Sequence, residues 1–339
     1  MKGKRNMQYA GQVYIRMLLI IAVMITGTTV NADSSIQKIS RSEELMDTYF
    51  TITVYSDRPE TAETAIAEAF NEIKKIESEL SIYSEDSEVS RLNGKKTLES
   101  PSEDLKTNIA RSLYFSNLSD GAFDITVQPI LDLYNRTFIE KGSAPSGEMI
   151  TKELKKVDYK NVIIKDKEIK IGDDQGITLG GIAKGYAVEK AVEILRRHNI
   201  TMALVDASGN MRALGKKPEG VWNVALEDPR DMNNYITIIP LDNNAVSTSG
   251  DYERYFDDKK ESHHIINPKT GYSATELISV TIVTDNAFDA DALSTAVFVL
   301  GKEKGMKLIE SLPGVEGLII TREREILRSS GLKEINNNK

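Results

Sequence analysis

Ala203-Leu-Val205, Trp222-Asn-Val-Ala-Leu226, Tyr235-Ile-Thr-Ile-Ile239, Ala245-Val-Ser-Thr248, Tyr252-Glu-Arg-Tyr-Phe256 and Leu277-Ile-Ser-Val-Thr-Ile-Val283 follow one another with Gly, Pro, Asn and Asp clusters between them. Short runs rich in β-branched and aromatic residues, punctuated in this way, have the rhythm of a β-meander. Before this block, Thr48–Tyr55 alternates at period two and predicts a half-buried strand. Ala65, Ile66, Ala69, Ile73, Ile76 and Leu80 recur at three- and four-residue spacing and predict a helix over Glu60–Leu80. Further helices are expected at Ser102–Leu118 and Ile182–His198, with short strands at 162–164 and 168–171 between them. After the block come helices at Ala287–Leu300 and Lys302–Leu312 and strands at Gly317–Thr321 and Glu325–Arg328. Helices and strands occur in blocks rather than in strict alternation, which predicts an α+β fold with a largely antiparallel core sheet and packed helices. Residues 140–148 are the most linker-like stretch, inside one domain expected over 33–339.

The chain has 339 residues, 40% hydrophobic and 28% charged, so it can bury a sizeable core without crosslinks. Cysteine is absent, which excludes disulfides, thiolate metal sites, iron–sulfur clusters and a thiol nucleophile. Residues 1–32 read as an export signal. Lys2, Lys4, Arg5 and Arg16 precede the apolar run Met17–Ile25, and Val30-Asn31-Ala32 places small residues where a signal peptidase reads them. The alternative is an uncleaved anchor, although Met17 to Val30 falls short of the roughly 20 residues a spanning helix needs. The expected location is therefore beyond the cytoplasmic membrane. The formal net charge of −8 becomes more negative once those basic residues are removed. That balance argues against nucleic acid as a partner and leaves room for a local metal or phosphate site.

Common catalytic plans are missing. No two glycines are separated by a single residue, so the dinucleotide fingerprint is absent, as are the P-loop and the G-x-S-x-G elbow. Only His198, His263 and His264 are present, without an H-E-x-x-H, so any metal must be held by oxygen.

Four segments carry chemistry. Gly176-Ile-Thr-Leu-Gly-Gly-Ile-Ala-Lys-Gly-Tyr186 reads as a strand end, a paired-glycine turn and a helix start, where Gly180 and Gly181 allow close backbone approach and Lys184 adds charge. It suits a phosphate, or only tight packing. Asp285–Ala296 is an acidic helix start in which Asp291 and Thr295, four apart, share one face and offer a carboxylate and a hydroxyl to a hard cation; caps for the helix are the alternative. His263-His-Ile-Ile-Asn-Pro-Lys-Thr-Gly271 holds two histidines before a turn and suits proton transfer, unless both are satisfied in the core. Leu80–Asn93 and Asp120–Pro129 read as loops whose Tyr83 and Phe123 either line a ring site or pack in the core.

Taken together and in this order, these segments resemble the ApbE family of flavin transferases, also called FAD:protein FMN transferases. The resemblance runs through Met46-Asp-Thr48, Leu80–Asn93, Gly121–Val127, Leu179–Val188, Asp206–Asn210, Ser247–Tyr252, His264–Gly271 and Ala290–Thr295, nearly the whole of the chain after its leader. It implies an α+β fold with a tunnelling-fold type of core. The implied activity is transfer of FMN from FAD to a Thr or Ser hydroxyl of an acceptor protein, with release of AMP. Residue by residue, the resemblance makes Asp291, Thr295 and the carbonyl of Gly181 ligands of Mg²⁺. Met46, Tyr83, Ala122, Phe123, Asp124, Thr178, Lys184 and Ile266 match positions that contact FAD. His264, with Asp291, is the expected catalytic pair that deprotonates the acceptor. The implied acceptor is a membrane redox pump subunit or another exported flavoprotein. Thr178 and Asn267 stand where the family commonly has Asp. The same pocket would serve a FAD pyrophosphatase, or a flavin-binding protein without turnover.

Overall fold

The computed structural model describes residues 35–335; the leader expected at 1–32 lies outside the described residues. In chain order the elements are β1 (Gln37–Leu45), β2 (Thr48–Ser56), α1 (Pro59–Leu80), α2 (Glu88–Lys95), β3 (Thr97–Glu99), α3 (Glu103–Leu118), α4 (Gln128–Lys141) and α5 (Gly147–Leu154). Then follow β4 (Ile163–Lys165), β5 (Glu168–Lys170), α6 (Ala183–Arg197), β6 (Ala203–Asp206), β7 (Asn210–Leu214), β8 (Trp222–Asp228), β9 (Asp231–Leu241) and β10 (Ala245–Gly250). The last are β11 (Leu277–Thr284), α7 (Ala287–Ser311), β12 (Glu316–Thr321) and β13 (Ile326–Arg328). Among the described residues no helix is long and apolar enough to cross a membrane.

Eight strands form the main sheet in the order β1-β2-β6-β7-β10-β11-β12-β13, and every pairing is antiparallel. The period-two side-chain alternation of a strand makes this sheet the middle of three layers. Ala203 and Val205 of β6, Ala245 of β10, and Val280 and Ile282 of β11 join the core built with α1, α6 and α7. Their neighbours Leu204, Val246, Ile278 and Val283 face the other way, against Trp222, Leu226, Ile239 and Leu241 of the two-stranded β8–β9 ribbon. β11 is covered on both sides, which is why its residues are buried almost without interruption rather than alternately. On α1, the apolar stripe from Ala62 to Leu80 is buried and Pro59 stands at the helix start.

Between Leu300 and Lys302 the long helix α7 breaks where two separate helices are expected. Gly301 has φ +79°, and a Cβ there would fall 2.1 Å from the Glu276 carboxylate, whose Oε1 accepts the Lys302 N–H at 3.0 Å.

Three expectations need correction. Tyr252–Phe256 is not a strand; Tyr255 makes one isolated bridge to His263. Its flanking carboxylates are engaged otherwise: Asp251 in a two-pronged pair with Arg230, and Asp257 in accepting the N–H groups of Glu261 and Ser262. The stretches 80–93 and 120–129 are partly helical. Ser87 caps α2, with Val89 and Leu92 fully buried, and a 3₁₀ turn at Ile125–Val127 leads into α4. Before Gly180 there is a loop rather than a strand end. The linker-like stretch 140–148 spans the last residues of α4, a short connection and the start of α5.

Candidate active site

The site forms where the first turns of α6 and α7 meet below β10. Gly185 allows that meeting: a Cβ there would lie 2.2 Å from the carbonyl oxygen of Ala287 and 2.7 Å from the Asp291 Cβ. At this crossing Asp291, 4% exposed, accepts the Gly185 N–H on Oδ2 at 2.9 Å. The anion held at the start of α6 is thus a carboxylate of the chain itself, favoured by the helix dipole and by an N–H that has no partner within the helix. Burial pushes the Asp291 carboxyl above the usual range, against the charge of Lys184 and the Gly185 hydrogen bond. The first turn of α6 is pinned from behind: Tyr186 donates its hydroxyl to Asp104 at 2.6 Å, and Lys75 occupies the other Asp104 oxygen at 2.6 Å.

The acidic start of α7 divides into three duties. Asn286 caps the helix by accepting the Asp289 N–H at 3.2 Å, and Asp289 pairs two-pronged with Arg111. Asp291 alone turns inward. One helical turn later Thr295 stands beside Gly181, where a Cβ would lie 3.2 Å from Thr295 Oγ1 and 3.2 Å from the Phe123 ring. Gly181, Phe123 and Thr295 thus meet, one turn along α7 from the crossing of Asp291 and Gly185. Ser247, Ser249 and Ser294 extend the group with hydroxyls, and Asn210 supports Ser247, which donates to its Oδ1. These four carried no role in the sequence reading, although Asp206–Asn210 and Ser247–Tyr252 are among its motifs.

The donor set suits a hard cation. Among the described residues no group of three or more His, Cys, Asp or Glu is placed to hold a metal. What the site offers is one carboxylate with a single protein donor on it, a half-buried hydroxyl and a glycine backbone. That fits Mg²⁺, which keeps several waters and binds through one or two carboxylates plus substrate phosphate.

The two adjacent histidines separate cleanly. His263 is fully buried: its Nε2 donates to the Ala274 carbonyl at 2.8 Å, its Nδ1 accepts the Ile265 N–H at 3.2 Å, and its ring lies edge-on to Phe298. It is a core residue. His264 is half-buried and donates from Nδ1 to the Arg254 carbonyl at 2.9 Å, which leaves Nε2 without a hydrogen-bond partner among the described residues. Burial, together with the charges of Arg254 and Lys184, holds its pKa below the usual histidine range, so the ring stays neutral near pH 7. Asn267 does not orient it; its Oδ1 accepts the Lys269 N–H and shapes the Pro-Lys-Thr-Gly turn. Among the described residues no hydrogen bond joins Asp291 to His264.

The remaining expected contacts lie on several elements. Lys184 is close enough for its charge to act on Asp291, Glu253 and His264 together. Met46 and Asp47 form the two-residue turn of the β1–β2 hairpin with φ +53° and +59°, conformations uncommon outside Gly, Asn and Asp; the Met46 N–H is held by Glu77 at 2.7 Å. Thr178 accepts the Gly180 N–H at 3.2 Å and donates its own N–H to the Ile125 carbonyl at 2.8 Å, so a hydroxyl shapes the turn where the family commonly has a carboxylate. Ala122 and Phe123 are buried. Asp124 is buried too: its Oδ1 accepts from the N–H and hydroxyl of Thr126, and its Oδ2 from the Tyr159 N–H, so this carboxylate organises the loop. Ile266 is buried and packs with Ile130, Leu133, Tyr134 and Ile150. Tyr83 stands on the α1–α2 connection, 49% exposed.

Comparison with known proteins points to one family. Residues 46–319 match the ApbE family. The FAD:protein FMN transferase of Treponema pallidum is 31% identical over 344 residues, covering 94% of each chain, and that of Escherichia coli K12 is 30% identical over 74% of each. Among solved structures, the ApbE protein of Thermotoga maritima superposes with a TM-score of 0.80 at 35% identity, covering 87% of this chain and 97% of that one. The flavin transferase ApbE of Vibrio cholerae superposes at 0.77 with 26% identity, covering 87% and 98%.

Proposed function

The chain belongs to the ApbE family, and from that premise we propose that it transfers FMN from FAD to a Thr or Ser hydroxyl of an acceptor flavoprotein, with Mg²⁺ at Asp291, Thr295 and the Gly181 carbonyl. The observation that carries the mechanism is a neutral His264 whose Nε2 is left to accept a proton and which feels the same Lys184 charge that acts on Asp291. In this reading the acceptor hydroxyl gives its proton to Nε2 as its oxygen attacks the FMN-side phosphorus. The new O–P bond replaces the bridging P–O bond of the pyrophosphate, and AMP leaves with the bridging oxygen. A bound Mg²⁺ would supply charge neutralisation on the phosphate oxygens. Lys184 adds a second positive charge, and the Arg254 carbonyl keeps the imidazole in the Nδ1–H tautomer.

Residues 1–32, basic then apolar, support an exported enzyme, and the family resemblance makes its acceptor a membrane redox pump subunit or another exported flavoprotein. The test is incubation of the chain with FAD, Mg²⁺ and a candidate acceptor, followed by denaturing electrophoresis. A fluorescent acceptor band that vanishes on chelation is expected. A chain that stays yellow while releasing no AMP and labelling no acceptor would overturn the reading in favour of flavin binding alone.

A further inference from the structure

Four hydroxyl-bearing residues at the α7–β10 contact have fewer protons than contacts, and that shortage fixes the direction of every bond. Ser294, fully buried, donates to the Asp291 carbonyl oxygen at 2.9 Å, which has no proton to give. A serine hydroxyl has one proton. The 2.7 Å contact between Ser249 and Ser294 must therefore be donated by Ser249. With that proton committed, the 3.3 Å contact between Ser249 and Thr295 must be donated by Thr295. Ser247 does not compete: its proton goes to Asn210 Oδ1, so its 3.3 Å approach to Ser294 is only a packing contact.

We propose that Ser249 is a positioning residue whose hydroxyl takes the Thr295 proton, so that the lone pairs of Thr295 face the cation. The chain runs Thr295 O–H to Ser249 O–H to Ser294 O–H to the main-chain carbonyl of Asp291, and so ends on the residue that supplies the carboxylate. Among the described residues Ser249 is the one acceptor within hydrogen-bond distance of Thr295 Oγ1. Without it the threonine proton would turn toward the i−4 carbonyl or toward the metal, and either alternative weakens the ligand. Partners that orient a metal ligand typically contribute about 10–100-fold to metal affinity. The inference rests on the Mg²⁺ reading of Asp291 and Thr295 and adds a residue on a different strand to it.

Binding of Mn²⁺ alone to the purified chain, followed by the loss of its free-ion resonance signal, tests this apart from turnover. Four variants are compared with the parent chain: Ser249→Ala, Ser249→Thr, Asp291→Asn and Thr248→Val. The last, one residue before Ser249 on β10, breaks the 2.9 Å pair of Thr248 with Thr281 on β11. Melting in chelator reports the fold without metal. Ser249→Ala should lose about tenfold in Mn²⁺ affinity with its metal-free melting unchanged. Ser249→Thr, which keeps the hydroxyl, should restore binding, and Thr248→Val should bind as the parent does. If Ser249→Ala fails to fold, Ser249→Cys, with a poor acceptor, carries the same arm. Parent-like affinity in Ser249→Ala beside lost affinity in Asp291→Asn would overturn the relay and leave the metal reading standing. Parent-like affinity in Asp291→Asn would overturn both.

Discussion

His264 donates its ring Nδ1–H to the carbonyl oxygen of Arg254 at 2.9 Å, and its backbone N–H reaches the same oxygen at 3.1 Å. A single carbonyl thus fixes both the position and the tautomer of the ring, and Arg254 is itself tied toward the β1–β2 turn by an ion pair with Asp47 at 3.9 Å. The carboxylate that Asn267 lacks is not needed for orientation, because the main chain supplies the acceptor.

Replacing His264 by Ala should lower the rate of acceptor labelling by about 10²–10⁴-fold, the range for loss of a positioned base. FAD binding, measured by fluorescence quenching, should persist. Loss of FAD binding in step with the rate would reassign His264 to substrate binding.

Asp291→Asn keeps an oxygen for the Gly185 N–H and should melt close to the parent chain. Metal-dependent AMP release should fall to background. Asp291→Ala should also destabilise, because a buried N–H without a partner costs about 1–3 kcal/mol. Equal melting temperatures for the two variants would contradict that accounting.

The acid limb of the pH–rate profile should move with Mg²⁺. His264 is already neutral and stays so as the pH falls, since its pKa is lowered. Asp291, whose pKa burial raises, would gain a proton first, and on the proposed metal reading that proton would displace the cation. More Mg²⁺ should therefore shift the limb to lower pH. An acid limb indifferent to Mg²⁺ would point to a different titrating group.

Gly185→Ala forces α6 and α7 apart, because its Cβ would meet the Ala287 carbonyl at 2.2 Å. Overpacking of this kind costs about 1–3 kcal/mol. Thermal melting should show the loss in chelator, and Mn²⁺ affinity should drop as well because Asp291 rides on the displaced turn. An unchanged melting temperature would mean that the helices are not held at this crossing.

Much of this architecture is legible in the sequence because local pattern and tertiary role coincide. The stripe from Ala65 to Leu80 and the alternation of Thr48–Tyr55 each report the face that is buried. β1 is not legible: as an outer strand it buries only Ile39 and Leu45 of Gln37–Leu45, so its hydrophobic signal nearly vanishes. Glu88–Lys95 is hidden in another way, since a short helix with a Ser cap and two buried apolar residues looks like a polar loop. Within the site, i,i+4 spacing puts Asp291 and Thr295 on one helix face, whereas their reading as ligands rests on the family resemblance. The separation of His263 from His264 depends on which carbonyl each ring meets, and that is a matter of long-range packing. Ser249 and Ser294 lie 45 residues apart, and no local spacing announces their contact.

The most direct measurement is the ratio of AMP released to acceptor flavinylated in one reaction with FAD and Mg²⁺. Transfer with His264 as base predicts one AMP for each labelled Thr or Ser, with no free FMN accumulating. AMP and free FMN appearing together beside an unmodified acceptor would contradict the account and make water the acceptor.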